Sequence, residues 1–247
     1  MDDGIDQLKQ AHRAAWSAGD YRPIGQLLET AADELVTRAD VRAGQRVIDI
    51  GVGSGSVAIA VARRGASVVG IDLTPAWFGE ARSRSAGAGV ELDLREGDAE
   101  ALTVGDADFD RVLSGFAMIF APRHSVVAAE AARVCRPGGL VAFTAWTPDS
   151  MTSRVFEALG RYLPEPPAYV SPSSLWGDPD HVRRLFADHD VNFDFDVMAV
   201  TWEFPDLDAF ERFTLRNSGP MRAAQQVLEQ AGRWQEARAE MRAVFED

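Results

Sequence analysis

Lysine is nearly missing from this 247-residue chain: among its 25 basic side chains only Lys9 is a lysine, and the rest are arginines. A P-loop is thereby excluded, because its glycine-rich turn must be followed by a lysine that reaches the β- and γ-phosphates. Lys9 also lies in a polar stretch near the terminus, a poor setting for the desolvated amine that Schiff-base chemistry needs. A dehydrogenase built on a Tyr–Lys pair cannot be assembled. Cysteine is equally scarce. Cys135 stands alone, so neither a disulfide framework nor a cysteine-based zinc site is available. It closes a helical pattern and is expected to be an inert position there. No apolar run approaches the ~20 residues of a membrane helix. The opening Met1-Asp2-Asp3-Gly4-Ile5-Asp6 is acidic where a signal peptide is basic and then apolar. A soluble, cytoplasmic protein is expected. Positive charge is outweighed as well, with 38 acidic residues and a formal net charge of −13. That balance disfavours nucleic acid, whose binding rests on clustered cations displacing counterions.

What is present is an ordinary globular composition, 46% apolar and 26% charged, at a length suited to one large domain. Residues 5–16 and 24–39 read as two helices, the second with Leu27, Leu28, Ala31, Leu35 and Val36 at helical spacing. From Arg46 onward strands and helices alternate. Strands are expected at 46–50, 67–71, 90–94, 111–116 and 140–146, and helices at 57–64, from Thr74-Pro75, and at 125–136, ended by Pro137-Gly138-Gly139. Such alternation implies βαβ crossovers and a mostly parallel sheet covered on both faces. Beyond Trp146 the prolines crowd, with helical pieces at 153–162 and 181–187. Residues 191–204 alternate as two strands or one bulged strand, and helices follow near 207–216 and 221–245. The organisation expected is one domain over 1–247: a helical cap (1–45), a core (46–146), an insert (147–190) and C-terminal strands and helices (191–247).

The most informative segment is Val47-Ile48-Asp49-Ile50-Gly51-Val52-Gly53-Ser54-Gly55. A strand enters a turn whose glycines permit positive φ and close backbone approach, just before a helix N-terminus. This build takes a nucleotide-like ligand at the carboxyl edge of the first strand. A dinucleotide site wants G-x-G-x-x-G, but here Ser56 stands in the place of the third glycine. Asp49 would sit poorly beside a pyrophosphate and suits a ligand with a cationic, amino-acid end.

D-x-G-x-G-x-G at the end of a first strand resembles motif I of the class I S-adenosylmethionine-dependent methyltransferases. Four further segments are similar to that family in the expected order. They are Val69-Gly70-Ile71-Asp72-Leu73, Gly97-Asp98-Ala99-Glu100, Phe109-Asp110-Arg111-Val112-Leu113-Ser114 and Arg136-Pro137-Gly138-Gly139-Leu140. The resemblance implies a Rossmann-like α/β fold, a mostly parallel seven-stranded sheet with helices on both faces, plus N-terminal helices and a lid insert. It implies S-adenosyl-L-methionine as cofactor, with Asp72 on the ribose hydroxyls, Leu73 beside it, Asp98 on the adenine amino group and Ala99 on the ring. Asp49, Gly51, Gly53, Ser54 and Gly55 would form the cofactor turn, and Ser114 would line the pocket. The segment Trp16-Ser17-Ala18-Gly19-Asp20-Tyr21 resembles a stretch that folds over the cofactor in a bacterial small-molecule, type 11-like subgroup. Trp16 and Tyr21 would there meet the sulfonium by cation–π attraction. Each position also has a plainer reading: Asp72 as a cap beside Thr74, Asp98 as a turn former, Trp16 and Tyr21 as packing.

The chemistry needs little beyond an aligned acceptor and excluded water, with a base only if the acceptor arrives protonated. His124, after the fourth strand, is the candidate base. His12, His181 and His189 are weaker candidates, the last two flanking an expected surface helix. The acids Glu96, Asp98, Glu100, Asp106, Asp108 and Asp110 are read mainly as a solvated surface that could also steer a cation. No Asn/Asp-Pro-Pro-aromatic turn follows strand four, where Ser114-Gly115-Phe116-Ala117 stands. Paired metal ligands are not seen at that edge either. A small-molecule acceptor remains, attacked at oxygen, nitrogen or carbon, with Tyr169, Trp176, Phe213 and Asn217 as candidate substrate contacts in an aromatic lid. Non-catalytic or non-methylating use of the cofactor, a ligand sensor, and the oligomeric state (a homodimer among the options) stay open.

Overall fold

Strand β1 (Arg46–Ile50) is buried at every position after Arg46 and forms the middle of the sheet. In a computed structural model, which describes residues 3–246, three helices precede it: α1 (Asp3–Ser17), α2 (Arg22–Leu27) and α3 (Glu29–Arg38). After it come α4 (Ser56–Arg63), β2 (Ser67–Asp72), α5 (Phe78–Gly87), β3 (Asp93–Glu96), β4 (Phe109–Gly115), α6 (His124–Val134) and β5 (Cys135–Thr144). The strands stand in the order β3-β2-β1-β4-β5 with every neighbouring pair parallel. A parallel strand covered on both faces must be apolar on both, which is why Val47-Ile48 and Val68-Val69 run without a polar partner.

Strand parity sorts the core into two layers. Val47, Val68 and Leu113 point to one face, where they meet α3 and α4 through Val36, Ala58 and Val61. Ile48, Ile50, Val69, Ile71 and Val112 point to the other and meet Val127, Ala131 and Val134 of α6. The second layer also receives Trp176, Val182 and Phe186 from the later chain, where α7 (Met151–Gly160) and α8 (Pro179–Leu185) lie. The helices α9 (Leu207–Asn217), α10 (Gly219–Gln230) and α11 (Trp234–Glu246) complete the order.

Several expectations are corrected. The sheet has five strands among the described residues, not seven. Residues 191–204 alternate as a strand should but enter no ladder. Phe193 and Phe195 stack on each other at 5.7 Å, the Arg183 guanidinium covers Phe195, and Asp196 pairs with Arg38. Phe204 is drawn onto Phe210 and Phe213 of α9. The third strand begins at Asp93 instead of Val90, since the Val90 N–H is spent on the Ser85 carbonyl (3.0 Å) and Gly89 holds φ 69° in a Schellman-type helix end. Cys135 opens β5 instead of closing α6. The segment Arg136–Gly139 bulges, so that Phe109 pairs with Cys135 but Arg111 pairs with Leu140. The expected helix at 24–39 is divided at Leu28, and the one at 221–245 is divided at Gly232, which has φ 69°.

The chain forms two units. One, Leu28–Pro148 with Ala168–Val200, holds the sheet. The other joins the described residues up to Leu27 with Asp149–Pro167 and Thr201 onward. It is helical, with α7 on α11 and α1 on α10, around Leu159, Met221, Leu228 and Met241. Glu211, 3% exposed, is neutralised there by Arg238 and Arg242. Among the described residues no helix is long and apolar enough to cross a membrane.

In the sheet unit Trp176 packs against Phe143 (ring centroids 5.1 Å apart) and His124 (5.2 Å). Trp176→Ala should lower the unfolding free energy by about 3–5 kcal/mol, the usual cost of removing a buried aromatic, measured as a shifted denaturant midpoint at constant slope.

Candidate functional site

The carboxyl ends of β1, β2 and β4 converge on the turn after β1. Gly51, Gly53 and Gly55 have φ of 79°, 48° and 89°. The turn is pinned from its backbone: the N–H groups of Gly51 and Val52 both donate to the Ile71 carbonyl, at 2.7 and 3.0 Å. At Gly51 a Cβ would lie 2.1 Å from that of Ala117, so a side chain there is excluded by β4's outgoing loop. At Gly53 nothing lies within 4 Å of the Cβ position, so a side chain there is opposed by the φ of 48° and not by a neighbour.

Asp72 ends β2 and holds this turn. Its carboxylate accepts the Gly53 N–H (2.8 Å) and the Thr74 N–H (2.7 Å). The bond to Thr74 closes an Asx-type turn two residues on, and the Thr74 hydroxyl makes no capping bond to the short 3₁₀ turn that leads into α5. Burial pushes the Asp72 carboxyl above its ordinary range, and the two N–H groups act in the opposite direction. Leu73 is the residue between.

Asp49 lies on the α4 side of the sheet by parity and is 1% exposed. Neither of its carboxylate oxygens meets a donor at hydrogen-bond geometry. Burial first, and the Asp72 charge second, raise its pKa to about 7, with the Ala58 N–H pulling weakly the other way. A buried acceptor without a donor is costly in a native structure and marks a place where a donor or cation is expected.

Other cofactor candidates also make hydrogen bonds within the protein. Ser54 is buried, and Arg84 of α5 reaches its carbonyl (2.9 Å) and hydroxyl (3.0 Å) from behind. Arg84 also bonds the Ser56 hydroxyl (3.2 Å) and Glu29 (2.6 Å). Sequence reasoning missed Arg84, because its partners lie 28 to 55 residues away and only the packing of α5 beside α4 and α3 brings them together. The Ser114 hydroxyl donates to the Ile50 carbonyl (2.7 Å) and accepts the Met118 N–H (3.0 Å), tying β4 to β1. Asp98 accepts the Glu100 N–H on its side chain (2.8 Å) and forms the turn with Ala99 that follows β3. The acidic segment is not a solvated surface throughout. Glu100 and Asp110 are 5% and 6% exposed, and Asp106, Asp108 and Asp110 are engaged by Arg133, Arg46 and Arg136.

His124 is 2% exposed at the start of α6. Its Nδ1 is 3.1 Å from Nε2 of His181, so one ring donates and the other accepts. Burial, then the nearby His181, lowers its pKa to about 4, with Glu100 and the Ile119 backbone acting against that. It is neutral at pH 7 and a weak proton acceptor, unlike a general base tuned near the working pH. His181 is half-buried through this contact and is not a free surface histidine. Tyr169 is half-buried in the same unit, and Trp176 is buried with its indole N–H unpaired. Trp16, Tyr21, Phe213 and Asn217 belong to the helical unit. There the Trp16 and Tyr21 rings meet edge to face at 5.9 Å, and the Asn217 amide donates to the Phe213 carbonyl at 2.8 Å. The sheet unit therefore brings together Asp49, the glycine turn, Asp72, Leu73 and Ser114, with the Asp98–Ala99 turn following the neighbouring β3.

Comparison with known proteins agrees with this geometry. Residues 48–143 match the family described as Methyltransferase domain, of the type 11 group. The chain is 42% identical over 179 residues to the uncharacterized proteins Mb1438c of Mycobacterium bovis and Rv1403c of Mycobacterium tuberculosis. That match covers 72% of this chain and 65% of each relative's own length. It is also 34% identical over 135 residues to the ubiquinone biosynthesis O-methyltransferase of Hahella chejuensis, covering 54% of this chain and 56% of that one. Among solved structures, the crystal structure of MccD protein shares the fold, with a TM-score of 0.50 at 15% identity over 64% of this chain and 69% of that one. Residues 48–143 are a methyltransferase domain of the type 11 kind, set in the Rossmann-like α/β fold of the class I methyltransferases.

Proposed function

We propose that this protein transfers a methyl group from S-adenosylmethionine to an oxygen, nitrogen or carbon of a small-molecule acceptor. The observation that carries the reading is the pairing of an open glycine turn with two carboxylates of different standing. Asp72 is fixed by backbone donors and Asp49 is buried with none. The residues fit the cofactor on those grounds. Asp72, held in place, has lone pairs left for a ribose diol, and the unpaired Asp49 favours a ligand bearing positive charge. When bound, the cofactor supplies a methyl group made electrophilic by a sulfonium. The protein's share is to bind, align and keep water out, through the glycine turn for close backbone approach and the Asp98–Ala99 turn for the base. His124 is buried and weakly basic, so the reading rests on alignment and does not depend on an internal base at that position. A small acceptor is supported by the acidic charge balance and by the absence from the sequence of the Pro-Pro-aromatic turn used on nucleic-acid bases.

Calorimetry with S-adenosylmethionine and S-adenosylhomocysteine should show binding of both, and a metabolite panel should contain an acceptor that releases S-adenosylhomocysteine. Failure of both ligands to bind removes the proposal. Asp72→Asn should weaken S-adenosylhomocysteine affinity by roughly 10- to 100-fold, the scale of lost charge-assisted bonds. An unchanged affinity would leave Asp72 as a structural cap only.

Asp49 also gives a pH dependence. Its folded pKa of about 7 exceeds the unfolded value near ~3.9, so between those limits the folded state holds a proton that the unfolded state has released. Stability without ligand should therefore fall as pH rises from 4 to 7 and level off above. The cost approaches a limit on the order of 4 kcal/mol. Asp49→Asn should flatten this slope and raise the melting temperature more at pH 8 than at pH 5, by scanning calorimetry. Equal shifts at the two pH values would show that Asp49 carries no such proton.

A further inference from the structure

The turn proposed to receive adenine is held by a residue that the acidic sequence pattern conceals. The Glu100 side chain is 0% exposed and accepts three bonds from one residue: the Arg123 backbone N–H at 2.6 Å, Nε at 2.9 Å and Nη2 at 2.7 Å. Arg123 is the N-cap residue of α6, so the carboxylate lies where that helix presents its partial positive charge. The Glu100 backbone N–H donates to the Asp98 side chain at 2.8 Å, and that of Ala101 donates to the Asp98 carbonyl at 3.0 Å. Both ends of Asp98 are thereby set by the stretch that Glu100 anchors. The anchor is firm on its far side as well. Pro122 accepts the Ser171 N–H at 3.1 Å, and His124 pairs with His181. A salt bridge of this kind at the surface is worth little, but a buried carboxylate in a fork of charged donors holds one geometry.

We infer that Glu100 is a positioning residue for the cofactor site: clasped by Arg123 at the start of α6, it fixes the Asp98–Ala99 turn in the position from which Asp98 recognises the exocyclic amino group of adenine. This rests on the cofactor reading above and adds to it a named source of purine selectivity. A residue with a merely structural role would lower the affinity of every ligand together when changed. A positioning residue alters discrimination between ligands that differ only at the amino group.

The test is competition by adenosine and by purine riboside, which lacks that amino group, against bound S-adenosylhomocysteine. It is run on the wild-type protein, Glu100→Gln and Arg123→Lys, with melting temperatures recorded alongside. Wild type should prefer adenosine by roughly tenfold, the scale of one hydrogen bond. In Glu100→Gln the preference should shrink to below about threefold, while purine riboside affinity stays within about twofold of wild type. Arg123→Lys keeps the charge and loses only the fork at a side chain that is 40% exposed. It carries the same comparison, with the same loss of preference expected, if the glutamine variant does not fold. A folded variant that keeps the tenfold preference, or loses both ligands equally, overturns the inference about Glu100 and leaves the cofactor reading standing. No preference in the wild type overturns the role of Asp98, and the inference with it.

Discussion

The hydrogen bond from the Gly53 N–H to the Asp72 carboxylate joins the ends of β1 and β2, and the candidate site is arranged around it. It forms because the parallel register sets Ile50 beside Ile71, so the two chains leave the sheet at the same level. Gly53 then turns the chain on towards α4 with φ of 48°, which a residue with a side chain rarely adopts. The Asp72 carboxylate is thus oriented by backbone donors before any ligand arrives. That orientation is the pre-organisation on which a binding site of this type depends.

Electrostatics around this bond explain why the overall negative charge is less informative than the placement of a few acids. Several carboxylates near the sheet are paired with arginines. Glu100 is held by Arg123, Glu130 by Arg133 and Asp110 by Arg136. The helical unit repeats the device at Glu211. Arginine suits this use because its planar fork matches a carboxylate bidentately, which a lysine ammonium does not. Asp49 stands outside this scheme, buried without a cation and with only the Ala58 N–H acting weakly on it, and its neutralisation is left to a proton or to a ligand.

The core strands and the glycine turn were legible because their signals are local. Val47 to Ile50 reads as a buried strand, the three glycines as a turn of positive φ, and Asp72 as the end of the second strand. Elements set by longer-range competition were not. The alternation at 191–204 is real, yet it joins no ladder among the described residues. Val90 looked like strand, but the preceding helix end claims its N–H. Glu100 looked like one more solvated acid, and its burial depends on Arg123, which is 23 residues away.

The sequence by itself determined the parallel α/β core, the turn that opens it and the acids at the strand ends, because hydrophobic period and positive φ act over a few residues. The tertiary structure decided which acids are paired and which is left bare, and that His124 is packed against Trp176 and His181 instead of open to an acceptor. It also decided that Arg84 braces the glycine turn and that Glu100 braces the turn after β3. Burial and charge pairing depend on what the packed elements bring together from distant parts of the chain. That is why these roles have no local signature.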